Sequence, residues 1–318
     1  IISVMIICAG PFSGGCGGSS SGGGGSPTAP AQTEKASENI EESATPKAAG
    51  TYVSPAFRNA VFHADAAEGD GVMFIDTSAV SEGYVAVSGT SDSRLKFQVL
   101  VGENTYNYDI SSDGTPFVFP LQCGDGYYSF RVMENIVDKK YALVFETSAD
   151  VTLASEFEPF LRPNAYTDYN ENSNCVKMAA EFARTSDTQV DIITQVYEYV
   201  CSHVKYDTPK AENIQTGYMP DPDETLATGM GICFDYASLA AAMLRSQGIP
   251  TKIIFGYVAP DDLYHAWNMF YTEDTGWVTV EFKADPHDWT RLDLTFSANG
   301  SDSKFIGNGT NYADVYSY

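Results

Sequence analysis

Apolar residues recur along this chain with two different periods, and the change falls near Pro159. Between about 52 and 155, apolar and polar positions alternate. Residues 83–87, 95–101, 106–110, 126–132 and 140–145 each read as a strand on this period of two. Turn signals such as Gly102-Glu103-Asn104 separate them at intervals of roughly 8–12 residues, the spacing of an antiparallel sandwich. The stretch has no paired carboxylates, histidine cluster or phosphate loop. Its aromatics, Tyr127, Tyr128 and Phe130 among them, suit core and cross-strand packing, so this part reads as a spacer, binding module or packing partner.

After Pro159 the period becomes helical. Residues 175–182 and 190–204 read as helices, the second with Ile192, Ile193, Val196, Tyr197 and Val200 at three-four spacing and Asp187 or Thr188 as its cap. Pro220-Asp221-Pro222 marks a loop, and residues 223–226 open a short helical turn stopped by Gly229 and Gly231. Ala237, Ala240, Ala241 and Leu244 then fall at helical intervals and are mostly small, which permits close docking on a sheet. Gly248 ends this helix and Pro250 prevents its continuation, so it starts near Cys233. Residues 251–258 are β-rich and turn at Ala259-Pro260-Asp261-Asp262. A strand follows at 264–271, opened by His265, and a further one at 277–282 after Asp274-Thr275-Gly276. Asp293 lies on a short extended segment, 289–296.

Charge narrows the possible partners. With 42 acidic against 18 basic residues the formal net charge is −24, which repels nucleic acid and anionic lipid. The N-terminus adds an address. Ile1 to Ala9 are almost all apolar, too few to span a bilayer core of about 20 residues, and small residues follow, as at the tail of a secretory signal. Ser13-Gly14-Gly15-Cys16 resembles a bacterial lipoprotein cleavage site, although Ser13 stands where Leu is usual. The lack of Met or a basic stretch ahead of it suggests a truncated start. The expected organisation is a signal or lipoprotein segment (1–16), a Gly/Ser/Pro-rich tether (17–50), a β-sandwich-like domain (51–158) and an α+β domain (159–318).

If Cys8 is removed and Cys16 acylated, Cys123, Cys175, Cys201 and Cys233 remain. They show no framework spacing, and no CxxC supports a thiolate zinc site. Cys175 and Cys201 either pair between two helices or pack as small hydrophobes. Cys233 differs by position: at a helix start, a thiol faces unpaired backbone N–H groups and the positive end of the dipole, both of which favour thiolate. The glycines at 229 and 231 leave room for a substrate backbone. A thiol of pKa about 8.5 still needs a base, the base needs a carboxylate to fix its tautomer, and a tetrahedral intermediate needs N–H donors.

Gly231-Ile232-Cys233 leading into a helix, then His265-Ala266-Trp267-Asn268, then Asp293 ahead of Thr295, resemble the transglutaminase-like superfamily over roughly residues 175–297. The resemblance implies a papain-like α+β core, a helix bearing the Cys packed on an antiparallel sheet, here preceded by an all-β sandwich. It assigns Cys233 as nucleophile, His265 as base and Asp293 as orienter. It implies thiol-dependent acyl transfer on amide bonds, by transamidation or by peptide or isopeptide hydrolysis, with no metal or organic cofactor. At a bacterial cell surface, proteins, peptides or peptidoglycan cross-peptides are the substrates within reach, and membrane contact would run only through Cys16.

Each assignment has a rival. His63, His203 and His287 compete with His265: His203 reads as a surface or packing residue of the 190–204 helix, and His287 sits in a Pro/Asp loop. Glu281, where shorter family members carry their Asp, competes with Asp293. Asp293 is preferred because Trp289-x-x-x-Asp293-x-Thr295-Phe296 resembles the longer form with an inserted hairpin. Trp267 shares a face with His265, to shield an ion pair or to pack the core. The competing functions are a catalytically silent binding or scaffolding surface lipoprotein and a purely adhesive one. The tail from 297 to 318, rich in Asn, Ser and Tyr, suggests no element.

Overall fold

The alternating stretch folds into two antiparallel sheets in the computed structural model, which describes residues 49–259, 262–274, 284, 286–299 and 311–318. Its strands are β1 (Glu68–Gly69), β2 (Met73–Asp76), β3 (Tyr84–Gly89), β4 (Leu95–Val101), β5 (Asn104–Ile110), β6 (Phe117–Pro120), β7 (Gly126–Val137) and β8 (Lys140–Val151). One sheet runs β1-β2-β3-β6 and the other β5-β4-β7-β8. In β4 the buried Leu95, Phe97 and Val99 alternate with half-buried Lys96 and Gln98, which is the period read in the sequence. The inward rings meet between the sheets: Phe119 stacks on Tyr108 at 4.1 Å and on Phe97 at 5.4 Å. The β7–β8 hairpin extends well past the alternating pattern, to a tip where Ile136 and Val137 are exposed. With neither face buried there, nothing enforces alternation.

Helices dominate the next hundred residues. α1 (Asn174–Arg184) and α2 (Gln189–His203) follow the three-four pattern. Thr188 supplies the α2 cap, its hydroxyl accepting from Asp191 N while the Asp191 carboxylate accepts from Thr188 N, a reciprocal capping box. After β9 (Lys205–Tyr206) and α3 (Thr208–Asn213), the Asp221 carboxylate caps α4 (Pro222–Thr228). α4 stops at Gly229, whose φ of 62° suits glycine. β10 (Met230–Gly231) pairs parallel with β9 and delivers the chain to α5 (Cys233–Ser246).

Every residue of α5 is buried. It packs on α1, α2 and α4 and also on a third antiparallel sheet. That sheet contains β11 (Thr251–Val258), β12 (Leu263–Tyr271), β13 (Trp289–Leu292) and β14 (Tyr312–Ser317) in the order β13-β12-β11-β14, with α6 (Leu294–Ala298) following β13. The fold class is α+β. The strand expected at 277–282 lies outside the described residues. Residues 294–298 are helical where an extended segment was expected, because the Asp293 carboxylate accepts from Phe296 N and starts a turn. The tail adds β14, paired with β11 from Ile254↔Ser317 to Val258↔Tyr312. At Gly256 a Cβ would meet Ala313 O at 2.1 Å and Trp267 Cη2 at 2.7 Å, so only glycine lets β14 and the indole approach together.

From residue 49 onward the described chain forms one compact unit. A single apolar cluster runs from Phe97, Phe119 and Phe130 of the sandwich to Ile232, Cys233, Phe234 and Phe255. Cys123, Cys175, Cys201 and Cys233 are free thiols, so Cys175 and Cys201 do not pair. Among the described residues no helix is long and apolar enough to cross a membrane.

Candidate active site

The α5 start is built around a buried carboxylate. Ile232, the residue before the helix, is extended, and its N–H donates to Asp235 Oδ2 at 2.7 Å. The same oxygen lies 2.9 Å from Lys210 Nζ, and Tyr218 Oη donates to Asp235 Oδ1. Residue 231 is glycine for a steric reason, since a Cβ there would sit 2.6 Å from Asp235 Cβ. Three elements therefore converge on the turn that presents Cys233. The thiol occupies the first helical position, where backbone N–H groups lack intrahelical partners.

His265 lies near the start of β12, opposite Gly256 of β11. On one side it is near enough to Cys233 for the sulfur to act on its titration. On the other, Nε2 lies 2.9 Å from Asp293 Oδ2. An ionised carboxylate only accepts, so Nε2 carries the proton of that bond and Nδ1 is the nitrogen left for the thiol. The Asp293 carboxylate is fixed in turn: Oδ1 accepts from Phe296 N at 3.1 Å and Oδ2 from Tyr312 Oη at 2.8 Å. Phe296 also stacks on the imidazole, with centroids 4.5 Å apart. Asp293 is 0% exposed, His265 4% and Cys233 3%, so their mutual electrostatics are only weakly screened by water.

Burial acts first on His265 and alone would lower its pKa. The charges of Asp293 and Cys233, with the hydrogen bond to Asp293, outweigh it and push the imidazole up to about 10. Such a ring holds its proton at neutral pH, the state from which it protonates a departing amine. Cys201 behaves differently. Burial and then the Asp293 charge push it up to about 12, while Cys175 is raised by burial and then by Asp223. Thiols held protonated in this way are poor nucleophiles.

The structure thus brings Cys233, His265 and Asp293 together. The rival histidines lie elsewhere: His63 Nδ1 meets Asp76 Oδ2 at 3.0 Å, His203 Nε2 meets Leu226 O at 2.7 Å, and His287 sits in a loop with a φ of 64°. Glu281 lies outside the described residues. Trp267 is fully buried, 6.1 Å from the His265 ring, and packs in a cluster with Ile254 and Val258, so it both walls the site and fills core. Among the described residues no group of three or more His, Cys, Asp or Glu side chains is arranged to hold a metal ion.

Several neighbours escaped the sequence reading. Asp235 left one usable signal, an acidic residue three positions after the residue that precedes the helix. Phe296 closed the motif that favoured Asp293, though not as a ring stacked on the imidazole, and Lys210, Tyr218 and Tyr312 left none, because they reach the site from a short helix, a loop and a later strand.

Residues 176–282 match the transglutaminase-like superfamily, about a third of the chain. The match includes Cys233 and His265 and stops before Asp293. An uncharacterized protein of Mycobacterium tuberculosis is 28% identical over 180 residues, 52% of this chain and 50% of its own length. A protein of Methanocaldococcus jannaschii is 27% identical over 135 residues, 39% of this chain and 38% of its own. The chain thus spans half or less of the length of these curated relatives. Among solved structures, a candidate cysteine protease from Cytophaga hutchinsonii is 14% identical with a TM-score of 0.39, covering 73% of each chain. Legionella pneumophila LapG is 19% identical with a TM-score of 0.32, over 46% of this chain and 70% of that one. Red sea bream transglutaminase is 12% identical with a TM-score of 0.27, over 67% and 48%. At these scores nothing further rests on the structural likenesses.

Proposed function

From the transglutaminase-like core at residues 176–282, we propose that this protein is a thiol-dependent acyltransferase acting on amide bonds. One observation carries the reading: a thiol at the first position of a buried helix lies beside an imidazole whose Nε2 meets a buried carboxylate at 2.9 Å. In this reading His265 already holds the proton taken from Cys233, and the sulfur attacks an amide carbonyl carbon. Backbone N–H groups at the start of α5 receive the charge that develops on the carbonyl oxygen. The C–N bond breaks as His265 returns the proton to nitrogen, leaving an acyl thioester and a free amine. Water as the second nucleophile gives hydrolysis, and an amine gives transamidation. Asp293 keeps the imidazole in one tautomer and stabilises its charged form.

The substrates that suit this chemistry are proteins, peptides or peptidoglycan cross-peptides outside the cytoplasm, with the chain tethered by a lipid on Cys16. The strongly acidic composition and the Ser13-Gly14-Gly15-Cys16 stretch support that placement. Mass spectrometry of the N-terminal peptide from membrane fractions should find diacylglycerol on Cys16, and an unmodified Cys16 there removes the anchor.

Alkylation tests the nucleophile without knowledge of the substrate. Iodoacetamide should modify Cys233 rapidly well below pH 8, and His265→Ala should slow it sharply. Reaction at the rate of an ordinary thiol would refute the activation. Glutamine-donor labelling set against peptide hydrolysis, in wild type and Cys233→Ala, then separates the two acceptors.

A further inference from the structure

Asp293 Oδ2 receives two donors, His265 Nε2 at 2.9 Å and Tyr312 Oη at 2.8 Å, while Oδ1 is occupied by Phe296 N at 3.1 Å. A carboxylate held at both oxygens cannot turn about its Cβ–Cγ bond without giving up a charge-assisted hydrogen bond. The α6 turn holds Oδ1, and the phenol holds Oδ2 in position facing the imidazole. Tyr312 is itself fixed on several sides. Its ring lies edge-on to Trp267 at 4.8 Å, the Arg291 guanidinium covers it at 4.3 Å, and its backbone pairs with Val258 at the start of β14. Burial and the Asp293 charge raise the phenol pKa above its ordinary value, so it stays a donor throughout the neutral range.

We propose that Tyr312 is a positioning residue for the Cys233–His265–Asp293 triad, locking Asp293 Oδ2 against the imidazole and thereby making β14 part of the catalytic apparatus. The inference rests on the acyltransferase reading above. Tyr312 acts through Asp293: its hydroxyl bonds the carboxylate, and its ring packs on Trp267 and under Arg291. Without the hydroxyl, Oδ2 keeps only the imidazole as a donor, so carboxylate and ring can shift together and carry the imidazole away from sulfur. Its place in the fold suits a coupling role, because the strand that presents it is the last of the sheet in sequence and adjoins β11, the neighbour of the His265 strand.

The test is the rate of Cys233 alkylation by iodoacetamide at neutral pH in the full chain, for wild type, Tyr312→Phe, Asp293→Ala, the double variant and His265→Ala. Tyr312→Phe keeps the ring and its packing and removes only the donor. It should slow alkylation roughly tenfold, the scale of one lost hydrogen bond to a charged group, with a nearly unchanged thermal midpoint. In the Asp293→Ala background the same substitution should have no further effect, because the coupling runs through the carboxylate. Equal slowing in both backgrounds would reveal a structural role and overturn the proposal, as would no slowing in either. A His265→Ala protein that reacts as fast as wild type removes the triad reading and this inference with it. A large His265→Ala effect beside a silent Tyr312→Phe removes this inference alone. Should Tyr312→Phe fail to fold, the wild-type protein decides by NMR. The Tyr312 hydroxyl proton should exchange slowly with water and shift on Asp293→Ala, and a rapidly exchanging hydroxyl overturns the proposal.

Discussion

A histidine at the start of a strand says little until its partners are known. His265 is 4% exposed, and burial opposes its positive charge, yet Asp293 at 2.9 Å and the Cys233 thiol more than compensate. The shift has a thermodynamic consequence. The folded imidazole is raised to about 10 from an unfolded value of 6.5, so its contribution to stability is complete below about pH 6.5 and is lost as pH climbs through about 10. The stability gap between wild type and His265→Gln, measured by urea unfolding from pH 6 to 10.5, should therefore narrow as pH rises. A gap that widens over that window would mean the buried ring is held neutral. Cys233 and His265 were legible in the sequence because each sits beside an element boundary that glycine, proline and periodicity mark. Tyr312 was not, since a hydroxyl that reaches Asp293 from 19 positions away leaves no local trace.

At the scale of elements, what reads well is what a local rule enforces. α5 begins at Cys233 and ends at Ser246, two residues before Gly248 at a φ of 76°, as the small-residue period and the Gly-x-Pro stop imply. β11 spans 251–258 as the run of β-branched and aromatic residues suggests. The departures come where tertiary contacts decide. Leu294 to Ala298 have an extended-looking composition but turn helical once the Asp293 carboxylate takes Phe296 N. β14 shows no helical period and is half-exposed, so pairing with β11 supplies its order rather than its own pattern. Gly256 is where that pairing is most constrained. Gly256→Ala places a methyl against the backbone of Ala313 and the Trp267 indole, and overpacking of this kind costs about 1–3 kcal/mol. Urea unfolding should show that loss, and Cys233 alkylation should slow with it as β14 carries Tyr312 away from Asp293. A stable variant with a wild-type alkylation rate would show that the sheet can relieve the clash without moving β14.

For the whole molecule the question is whether the sandwich serves the site or only accompanies it. The sequence changes period near Pro159 and so suggests two domains, and the two parts do use different secondary structure. One apolar cluster nevertheless spans both parts. Tyr108 of β5 packs against Tyr166 at 5.9 Å, Tyr166 against Phe234 at 5.5 Å, and Phe234 follows Cys233 directly. A sequence pattern reports which face of an element is apolar but not which other element covers it, so this continuity was invisible until the chain was folded. It makes the packing of the sandwich interior part of what holds the α5 start in place. Phe119 is fully buried between Phe97 and Tyr108, and Phe119→Ala should cost about 3–5 kcal/mol. If the cluster is cooperative, that loss should appear equally in two probes followed through urea: near-ultraviolet dichroism, which reports on the stacked rings, and the exposure of Cys233 to a denaturant-tolerant thiol reagent. Both should move to the same lower midpoint, because the sandwich cannot open while the α5 start stays closed. A Cys233 transition that keeps its wild-type midpoint while the ring signal melts early would show two independently stable parts and would leave the sandwich as a spacer.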